Sequence, residues 1–210
     1  MIISRTFIIA YENIFALFVY QLGRQVGQKY KSCPYSETER RKKMGKHVGL
    51  EFREKHGTEL QEFYYEALLH GYGAADGDVT KTEYDDGSTK IVYKRGVWRY
   101  SDKFFGGEPF AGMSVVRYDG VACFVMNYWG KVLPFANKEE IYRCLMPALL
   151  ATNKDHPWRG PNHFLSEDGL RYTNIWHGNI SKFYGQEKIG NANDDWLYEA
   201  DYRGGIVNLR

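Results

Sequence analysis

The chain has 210 residues, enough for one large domain or for a domain with an appendage. It carries 28 Lys and Arg against 26 Asp and Glu, a formal net charge of +2, and it contains 17 Tyr, 12 Phe and 5 Trp. This aromatic content argues against a disordered chain, because so many large apolar rings can form a core. The near-neutral charge does not favour a nucleic-acid-binding protein, which typically has a strong basic excess.

The cysteines and the apolar segments indicate a cytoplasmic protein. Cys33, Cys123 and Cys144 are too few and too far apart for a disulfide framework or a zinc site, which fits a reducing compartment. The most apolar stretch, residues 6–22, contains Glu12 and Asn13, so it is a poor membrane span. It also lacks the cleavage pattern of a signal peptide. We therefore expect no membrane association.

Composition divides the chain near residue 60. Residues 1–60 carry 11 Lys and Arg against 6 Asp and Glu, whereas residues 61–210 carry 17 against 20. Only 5 of the 22 glycines lie in the first part. The first part has helical patterns and the second has the patterns of a sheet.

Three helices are predicted in the first 71 residues. An apolar face with helical spacing occupies residues 6–22. A second helix begins at the capping box Ser36-x-x-Glu39 and ends at Gly57. A third begins at Thr58-x-x-Gln61 and ends at Gly71, and its apolar face consists of Leu60, Phe63, Tyr64, Ala67 and Leu68.

After Gly71 the pattern is that of antiparallel strands joined by tight turns. Asp-Gly pairs, which suit hairpin turns, occur at residues 76–77, 86–87, 119–120 and 168–169. The clearest hairpin joins residues 115–118 to 121–124, and Arg95-Gly96 turns another between 91–93 and 97–100. One helix, capped by Asn137, interrupts the strands, and Pro147 is expected to kink or shorten it. Further strands are predicted around residues 172–176, 180–184 and 196–202.

This order of elements predicts an α+β fold with a curved antiparallel β-sheet, helices packed on one face, and a helical N-terminal segment before it. The predicted domains are a helical segment, residues 1–57, and the α+β domain, residues 58–210. Gly71-x-Gly73-x-x-x-Gly77 lacks the dinucleotide-binding spacing and follows a helix, so no nucleotide cofactor is indicated by that motif.

Six short strings in the second part occur in a characteristic order. They are Tyr100-x-Asp102, Phe104-Phe105-Gly106-Gly107-Glu108-x-Phe110-x-Gly112, Met126-Asn127-Tyr128-x-Gly130, Arg159-Gly160-Pro161, Phe183-x-Gly185-x-Glu187-x-Ile189 and Tyr202-x-Gly204-Gly205. In this order they resemble the uncharacterised bacterial family domain of unknown function DUF5680, over roughly residues 60–208.

The resemblance implies no particular activity and no catalytic residues. Members of that family are often fused behind a helix-turn-helix DNA-binding domain, a context that suits a domain sensing a ligand or a partner. Residues 1–60 of this chain do not have a compact helix-turn-helix pattern.

Two copies of one pattern, aromatic-aromatic-Gly-x-Glu, occupy residues 104–108 and 183–187. A functional interpretation is that both copies form one cleft, in which the rings stack on a flat ligand and the glutamates accept hydrogen bonds. The alternative is that they are two strand corners, with glycine for the backbone and aromatic rings for the core.

Arg159 lies in a glycine- and proline-containing loop and is a candidate to bind a phosphate or carboxylate. Alternatively it ties the loop to Asp155 or to a helix end. Asp102, Glu108 and Glu187 could meet across strands and act as acid and base, as in glycoside cleavage. His156 and His163 lack a third ligand, so no metal is expected.

We hypothesise a non-catalytic binding protein, a sensor or sequestering protein that holds a small planar, nucleotide-like anion in an aromatic and glycine-lined cleft. No cofactor is expected, and a homo-oligomer would fit the aromatic surplus. The predicted ligand-binding residues are Tyr100, Asp102, Phe105, Glu108, Phe110, Asn127, Tyr128, Trp129, Arg159, Phe183, Glu187 and Tyr202.

Two alternatives belong to other classes of function. One is a hydrolase that uses the cleft carboxylates. The other is a protein-interaction or regulatory module whose basic helices, with the run Arg40–Lys43, contact a partner or nucleic acid.

Overall fold

A computed structural model describes residues 48–73 and 79–207. These residues form a nine-stranded antiparallel sheet, which dominates the structure, and two helices. The predicted helix over residues 6–22, the basic run and the start of the predicted second helix lie outside the described residues. No helix within the described ranges is long and apolar enough to cross a membrane.

Helix α1 (Val48–Gly73) is continuous through Gly57, so the predicted break between two helices at this glycine is wrong. Phe52 and Leu60, on either side of the glycine, are both buried in the same core. Phe52 also packs edge-on against Trp98, with the ring centroids 6.2 Å apart. Packing against the sheet therefore outweighs the weak helix propensity of one glycine.

The predicted apolar face of the C-terminal part of α1 is confirmed. Leu60, Phe63, Tyr64, Ala67 and Leu68 are all buried. The helix ends at Gly73 rather than at Gly71. The predicted domain boundary after residue 57 falls inside this helix, and it stays a prediction because most of the first segment is outside the described residues.

The strands follow α1 in chain order, with one helix among them. They are β1 (Val79–Glu83), β2 (Ser88–Arg95), β3 (Trp98–Phe105), β4 (Phe110–Tyr118), β5 (Val121–Val132), then α2 (Lys138–Leu150), then β6 (His163–Leu165), β7 (Arg171–Asn179), β8 (Lys182–Gly190) and β9 (Trp196–Ile206).

The sheet consists of two meanders joined side by side, in the order β1-β2-β3-β4-β5-β9-β8-β7-β6. Three of the four predicted Asp-Gly turns are confirmed, and the fourth, Asp76-Gly77, lies outside the described residues. Asp119 and Gly120 both have positive φ, 48° and 81°, between β4 and β5. Gly87, Gly96 and Gly169 likewise have positive φ in the turns after β1, β2 and β6. Pairing of β5 with β9 unites the meanders.

Helix α2 begins where the sequence predicts. Asn137 is its N-cap, and the side chain accepts a hydrogen bond of 3.2 Å from the amide of Glu140. Pro147 does not end the helix at once, since α2 continues to Leu150.

Strand alternation gives the sheet two different faces. Met126 of β5, Phe183 of β8 and Tyr202 of β9 share a core cluster with residues of α1. Tyr172, Ile189 and Tyr198 share a second cluster with residues of α2. The strand register places all six side chains on one side of the sheet, which we call the helix-facing face. The other side is the open face.

Glycines on the helix-facing face lie directly opposite aromatic residues of the neighbouring strand. The four pairs are Gly112 with Tyr128, Gly130 with Phe110, Gly185 with Tyr202 and Gly204 with Phe183. In each pair, a Cβ on the glycine would overlap or press on the ring opposite. The rings therefore lie flat across the strands, and the glycines provide the space that they occupy.

We predict that Gly57→Ala stabilises the protein by about 0.5–1 kcal/mol, because alanine is the better residue inside a continuous helix. A Cβ at this position meets only Arg53 Cγ, at 3.4 Å. Urea unfolding of the full chain measures the change. Gly87→Ala is the control, since its φ of 77° should make alanine destabilising. A loss of stability in Gly57→Ala would contradict a continuous helix.

Gly204→Ala is predicted to cost about 1–3 kcal/mol of unfolding free energy. Its Cβ would overlap the carbonyl oxygen of Val125 and lie 2.8 Å from Phe183 Cζ, and a backbone atom in a central strand cannot move away easily. Gly107→Ala is the matched control, because its Cβ would meet only Lys138 Nζ at 3.6 Å. Equal unfolding midpoints for the two variants would refute the role assigned to Gly204.

Candidate functional site

The site is organised around an ion pair in the core, between Arg159 and Glu187. Arg159 lies in the segment between α2 and β6, and Glu187 lies on the helix-facing side of β8. The guanidinium donates from Nε and Nη2 to Glu187 Oε1, at 3.0 and 2.6 Å. Arg159 is 4% exposed and Glu187 is 0% exposed. Arg159 thus links its loop to a strand residue 28 positions further along the chain.

Two tyrosines complete the environment of the Glu187 carboxylate. Tyr172 donates its hydroxyl hydrogen bond to Oε2 at 2.6 Å, and Tyr198 donates to Oε1 at 2.8 Å. Burial and the adjacent carboxylate raise the pKa of both phenols well above the usual value. Both therefore remain neutral donors, and the buried carboxylate has partners on both oxygens.

Asn174 ties the Arg159 loop to the sheet. Its Nδ2 donates to the carbonyl oxygen of Gly160 at 2.8 Å, and its Oδ1 accepts from Tyr202 at 2.6 Å. The Gly160 amide donates to the Tyr172 hydroxyl at 3.0 Å. A Cβ on Gly160 would lie 2.7 Å from that hydroxyl, so this glycine is needed for close approach.

A second buried carboxylate, Asp102, lies within the electrostatic influence of Arg159 and has its own hydrogen-bond donors. It accepts hydrogen bonds from Tyr128 at 2.8 Å and from Ser114 at 3.1 Å. Tyr100 contacts the Ser114 hydroxyl at 3.2 Å, and the Arg159 guanidinium lies 5.5 Å from the centroid of the Tyr128 ring. Burial raises the pKa of Asp102, while its two hydrogen bonds and the charge of Arg159 oppose that rise.

A cleft of about 310 Å³ opens beside this network, between α2 and the loop that joins β3 to β4. We call it the α2 cleft. Most of its lining is aromatic or aliphatic, and its two charged groups, Arg159 and Lys138, are cationic. The lining residues are Phe104, Gly106, Gly107, Phe110, Lys138, Tyr142, Leu145, Met146, Leu149 and Arg159. The Lys138 ammonium lies 5.8 Å from the centroid of the Tyr142 ring.

Glu108 holds this loop in place. Its Oε2 accepts a hydrogen bond of 2.6 Å from the Val132 amide, and its Oε1 accepts one of 2.8 Å from the Tyr142 hydroxyl. Burial, together with the neighbouring Glu108, raises the pKa of Tyr142. Glu108 therefore connects the β3–β4 loop to both β5 and α2.

The two copies of the aromatic-aromatic-Gly-x-Glu pattern have different surroundings. In the first copy, Phe104 and the two glycines line the α2 cleft. In the second, Phe183 and Glu187 are buried in the core, and Tyr184 and Gln186 are exposed. The second copy contributes to the cleft indirectly, through the hydrogen bonds between Glu187 and Arg159.

The twelve predicted ligand-binding residues divide between the two faces of the sheet. Phe105, Asn127 and Trp129 lie on the open face, because each follows or precedes a helix-facing residue by one position. Glu108 lies in the β3–β4 loop. The remaining eight come together on the helix-facing side, and of these Phe110 and Arg159 line the α2 cleft. They are Tyr100, Asp102, Phe110, Tyr128, Arg159, Phe183, Glu187 and Tyr202.

Sequence reasoning missed several residues of the site. Tyr172, Tyr198 and Asn174 supply the hydrogen bonds of the core network, and Lys138 and Tyr142 line the cleft. The available signal was the spacing of Tyr172 and Asn174, two positions apart in a predicted strand, which places both on one face of the sheet. Within the described residues, no group of three or more His, Cys, Asp or Glu side chains is arranged to hold a metal ion.

Comparison with known proteins gives one similarity. Residues 102–207, just over half of the chain, match the family described as Domain of unknown function (DUF5680). The match confirms the resemblance seen in the six strings, over a shorter range than residues 60–208. No curated protein and no solved structure is significantly similar to the chain.

We predict that Glu187→Leu destabilises the protein by about 3–5 kcal/mol, because it leaves the Arg159 charge buried without a counter-ion. The double variant Arg159→Met/Glu187→Leu should lose less, since it removes both charges together. Urea unfolding of both variants and of the single variant Arg159→Met measures the coupling.

Glu62→Leu is the control for this prediction, since it breaks a surface pair with Lys154. It should cost less than about 1 kcal/mol. If the two core substitutions simply added, the proposed coupling between Arg159 and Glu187 would be absent.

Proposed function

The chain belongs to the family Domain of unknown function (DUF5680), and we propose that it is a binding protein that holds a small planar anion in the α2 cleft. The observation that carries the proposal is the placement of the Arg159 guanidinium. It is almost fully buried, fixed by Glu187, and yet contributes to the lining of an open cleft.

A cation held in this way is suited to recognise an anionic group. In a poorly hydrated site, charge-assisted hydrogen bonds are stronger than in water, and a guanidinium whose position is already fixed loses little entropy on binding. Lys138, at the start of α2, adds a second positive charge, and none of the lining residues is acidic.

The walls of the cleft favour a flat ligand. Phe104, Phe110 and Tyr142 provide ring surfaces, and Leu145 and Met146 provide aliphatic ones. A volume of about 310 Å³ lies at the lower end of small-molecule sites. We therefore propose a ligand the size of a nucleobase or an aromatic acid that carries a phosphate or carboxylate.

Binding without turnover is the function that this lining supports best. Asp102, Glu108 and Glu187, the three candidate carboxylates for hydrolysis, hold hydrogen bonds to groups of the protein itself. Lys138 and Tyr142 are the groups in the lining with exchangeable protons besides Arg159. A sensor or a sequestering protein fits this arrangement.

We also propose a cytoplasmic protein that can self-associate. Cys123 and Cys144 are free thiols, and burial raises the pKa of Cys123 to about 12, which keeps it protonated. The exposed Trp129, Tyr184 and Trp196 provide aromatic surface of the kind enriched in protein interfaces.

The proposal predicts that nucleoside monophosphates or aromatic carboxylates raise the melting temperature of the full chain. Calorimetric titration then measures the affinity of each compound that does so. Gly107→Trp should abolish binding, because residue 107 has an unstrained backbone and its side chain would fill the cleft beside Lys138. Lys138→Glu should weaken binding about tenfold by replacing attraction with repulsion.

Lys94→Glu is the matched control. This exposed lysine lies at the opposite end of the β2–β3 pair from the cleft, opposite Arg99. Its substitution should leave the affinity unchanged. A ligand whose affinity is equal in all three variants would bind elsewhere. Failure of the whole panel, together with no small molecule released on denaturing protein purified from cells, would refute the proposal.

A further inference from the structure

The open face of the sheet has a charge composition unlike that of the chain. Ten basic side chains lie on it, against two acidic ones, Glu199 and Asp201, whereas the whole chain has a net charge of only +2. The ten basic residues are Lys90, Lys94, Arg99, Lys103, Arg117, Lys131, Arg171, Lys182, Lys188 and Arg203.

The two acidic side chains are already engaged within the face. Glu199 pairs with Lys131 at 3.1 Å, and Asp201 accepts a hydrogen bond from Gln186 at 3.1 Å. Arg203 is exposed, and within residues 48–73 and 79–207 its side chain has no carboxylate partner. Asp86 and Asp194, in turns beside the face, pair with Lys103 and Arg171. Within the described residues, the ten basic side chains of the face still outnumber these four carboxylates.

Like charges also face each other directly across strands. Lys90 lies opposite Lys103, and Arg99 lies between Lys94 on one side and Arg117 on the other. Such directly opposed like charges destabilise a sheet. An extended polyanion lying across the strands would relieve this repulsion.

Aromatic side chains accompany these cations. Phe105, Trp129 and Tyr184 lie on the open face and are 46%, 42% and 56% exposed. Lys103 lies 5.2 Å from the centre of the Phe105 ring, and Lys131 lies 5.7 Å from that of Trp129. Rings beside cations on a solvent-accessible surface can stack on unpaired bases while the cations contact phosphates.

A groove marks the centre of the face. It has a volume of about 650 Å³, and it runs between β4 and β8 past Met113, Asn127, Arg203 and Tyr184. In the register these four side chains form one row across β4, β5, β9 and β8, which continues to His177 on β7. The His177 and Tyr184 rings lie 5.1 Å apart.

We propose that the open face binds single-stranded nucleic acid, with Arg203 contacting the backbone and Tyr184 stacking on a base. A single strand fits better than a duplex. A broad sheet cannot enter the major or minor groove of a duplex, and the paired bases of a duplex are not available for stacking. The net charge of the whole chain, which did not favour nucleic acid, does not reveal this surface, since Glu199 and Asp201 are the two acidic residues among its strand positions. This site is on the opposite side of the sheet from the α2 cleft.

The test is fluorescence anisotropy of labelled oligouridine and oligodeoxythymidine with the full chain, over a range of salt concentrations. We expect binding that weakens as salt rises and that exceeds binding to a duplex of the same length. Tyr184→Ala should lower the affinity about fivefold or more. Arg203→Gln should reduce the slope of log K against log salt by about 0.7, the value for one phosphate contact of a single strand.

Controls separate this surface from general effects of charge and folding. Arg53→Gln removes an exposed charge from α1 and should change neither the affinity nor the slope. Arg99→Gln should weaken binding while keeping or raising the melting temperature, because it removes a charge placed between Lys94 and Arg117. Its loss of binding therefore cannot be attributed to unfolding.

Three outcomes would overturn the proposal. The first is no binding of either oligomer at low salt. The second is affinity that is unchanged in both Tyr184→Ala and Arg203→Gln. The third is binding of polyglutamate or of anionic lipid vesicles as tight as that of the oligomers, which would identify a protein or membrane surface instead.

Discussion

The buried pair between Arg159 and Glu187 is the constraint on which the arrangement of this protein depends. Two charges removed from water are tolerated only if nearly every polar atom finds a partner. Tyr172 and Tyr198 meet that need for the carboxylate. Because Arg159 belongs to the segment after α2 and Glu187 to β8, the same hydrogen bonds that neutralise the charges fix α2 over one half of the sheet. The cleft beside α2 exists because that position is fixed.

Four aromatic rings on the helix-facing face lie flat against the sheet, because each packs over a glycine of the neighbouring strand. Phe183 covers Gly204, and Tyr202 covers Gly185, so two of the rings that suggested a binding site are instead a lining between sheet and helices. Their polar ends still matter: the Tyr202 hydroxyl holds Asn174, and Asn174 holds the Arg159 loop. The aromatic residues thus support the site mainly from beneath, and few of them form its walls.

The two faces of the sheet divide the chemistry of the chain. The helix-facing side buries Asp102 and Glu187 with phenols, a serine and one arginine, and it opens at the α2 cleft, whose charged lining residues are cationic. The open side exposes lysines and arginines beside Phe105, Trp129 and Tyr184. The formal net charge of +2 is therefore a sum over surfaces whose own charges differ strongly. Both proposed ligands are anions, but one is small and enclosed, and the other is extended and lies across strands.

Local features of the sequence determined the hairpin at Asp119-Gly120, the cap at Asn137 and the apolar stripe of α1, because turn dihedrals, capping and helical periodicity act over a few neighbouring residues. The family was also evident from short strings. Three things required the tertiary structure: the continuity of α1 through Gly57, the pairing of β5 with β9, and the meeting of Arg159 with Glu187. Each depends on contacts between distant segments, and the free energy of those contacts outweighs local preference. The division of neighbouring residues between two faces followed from the register, since a shift of one residue moves a side chain to the opposite side of the sheet.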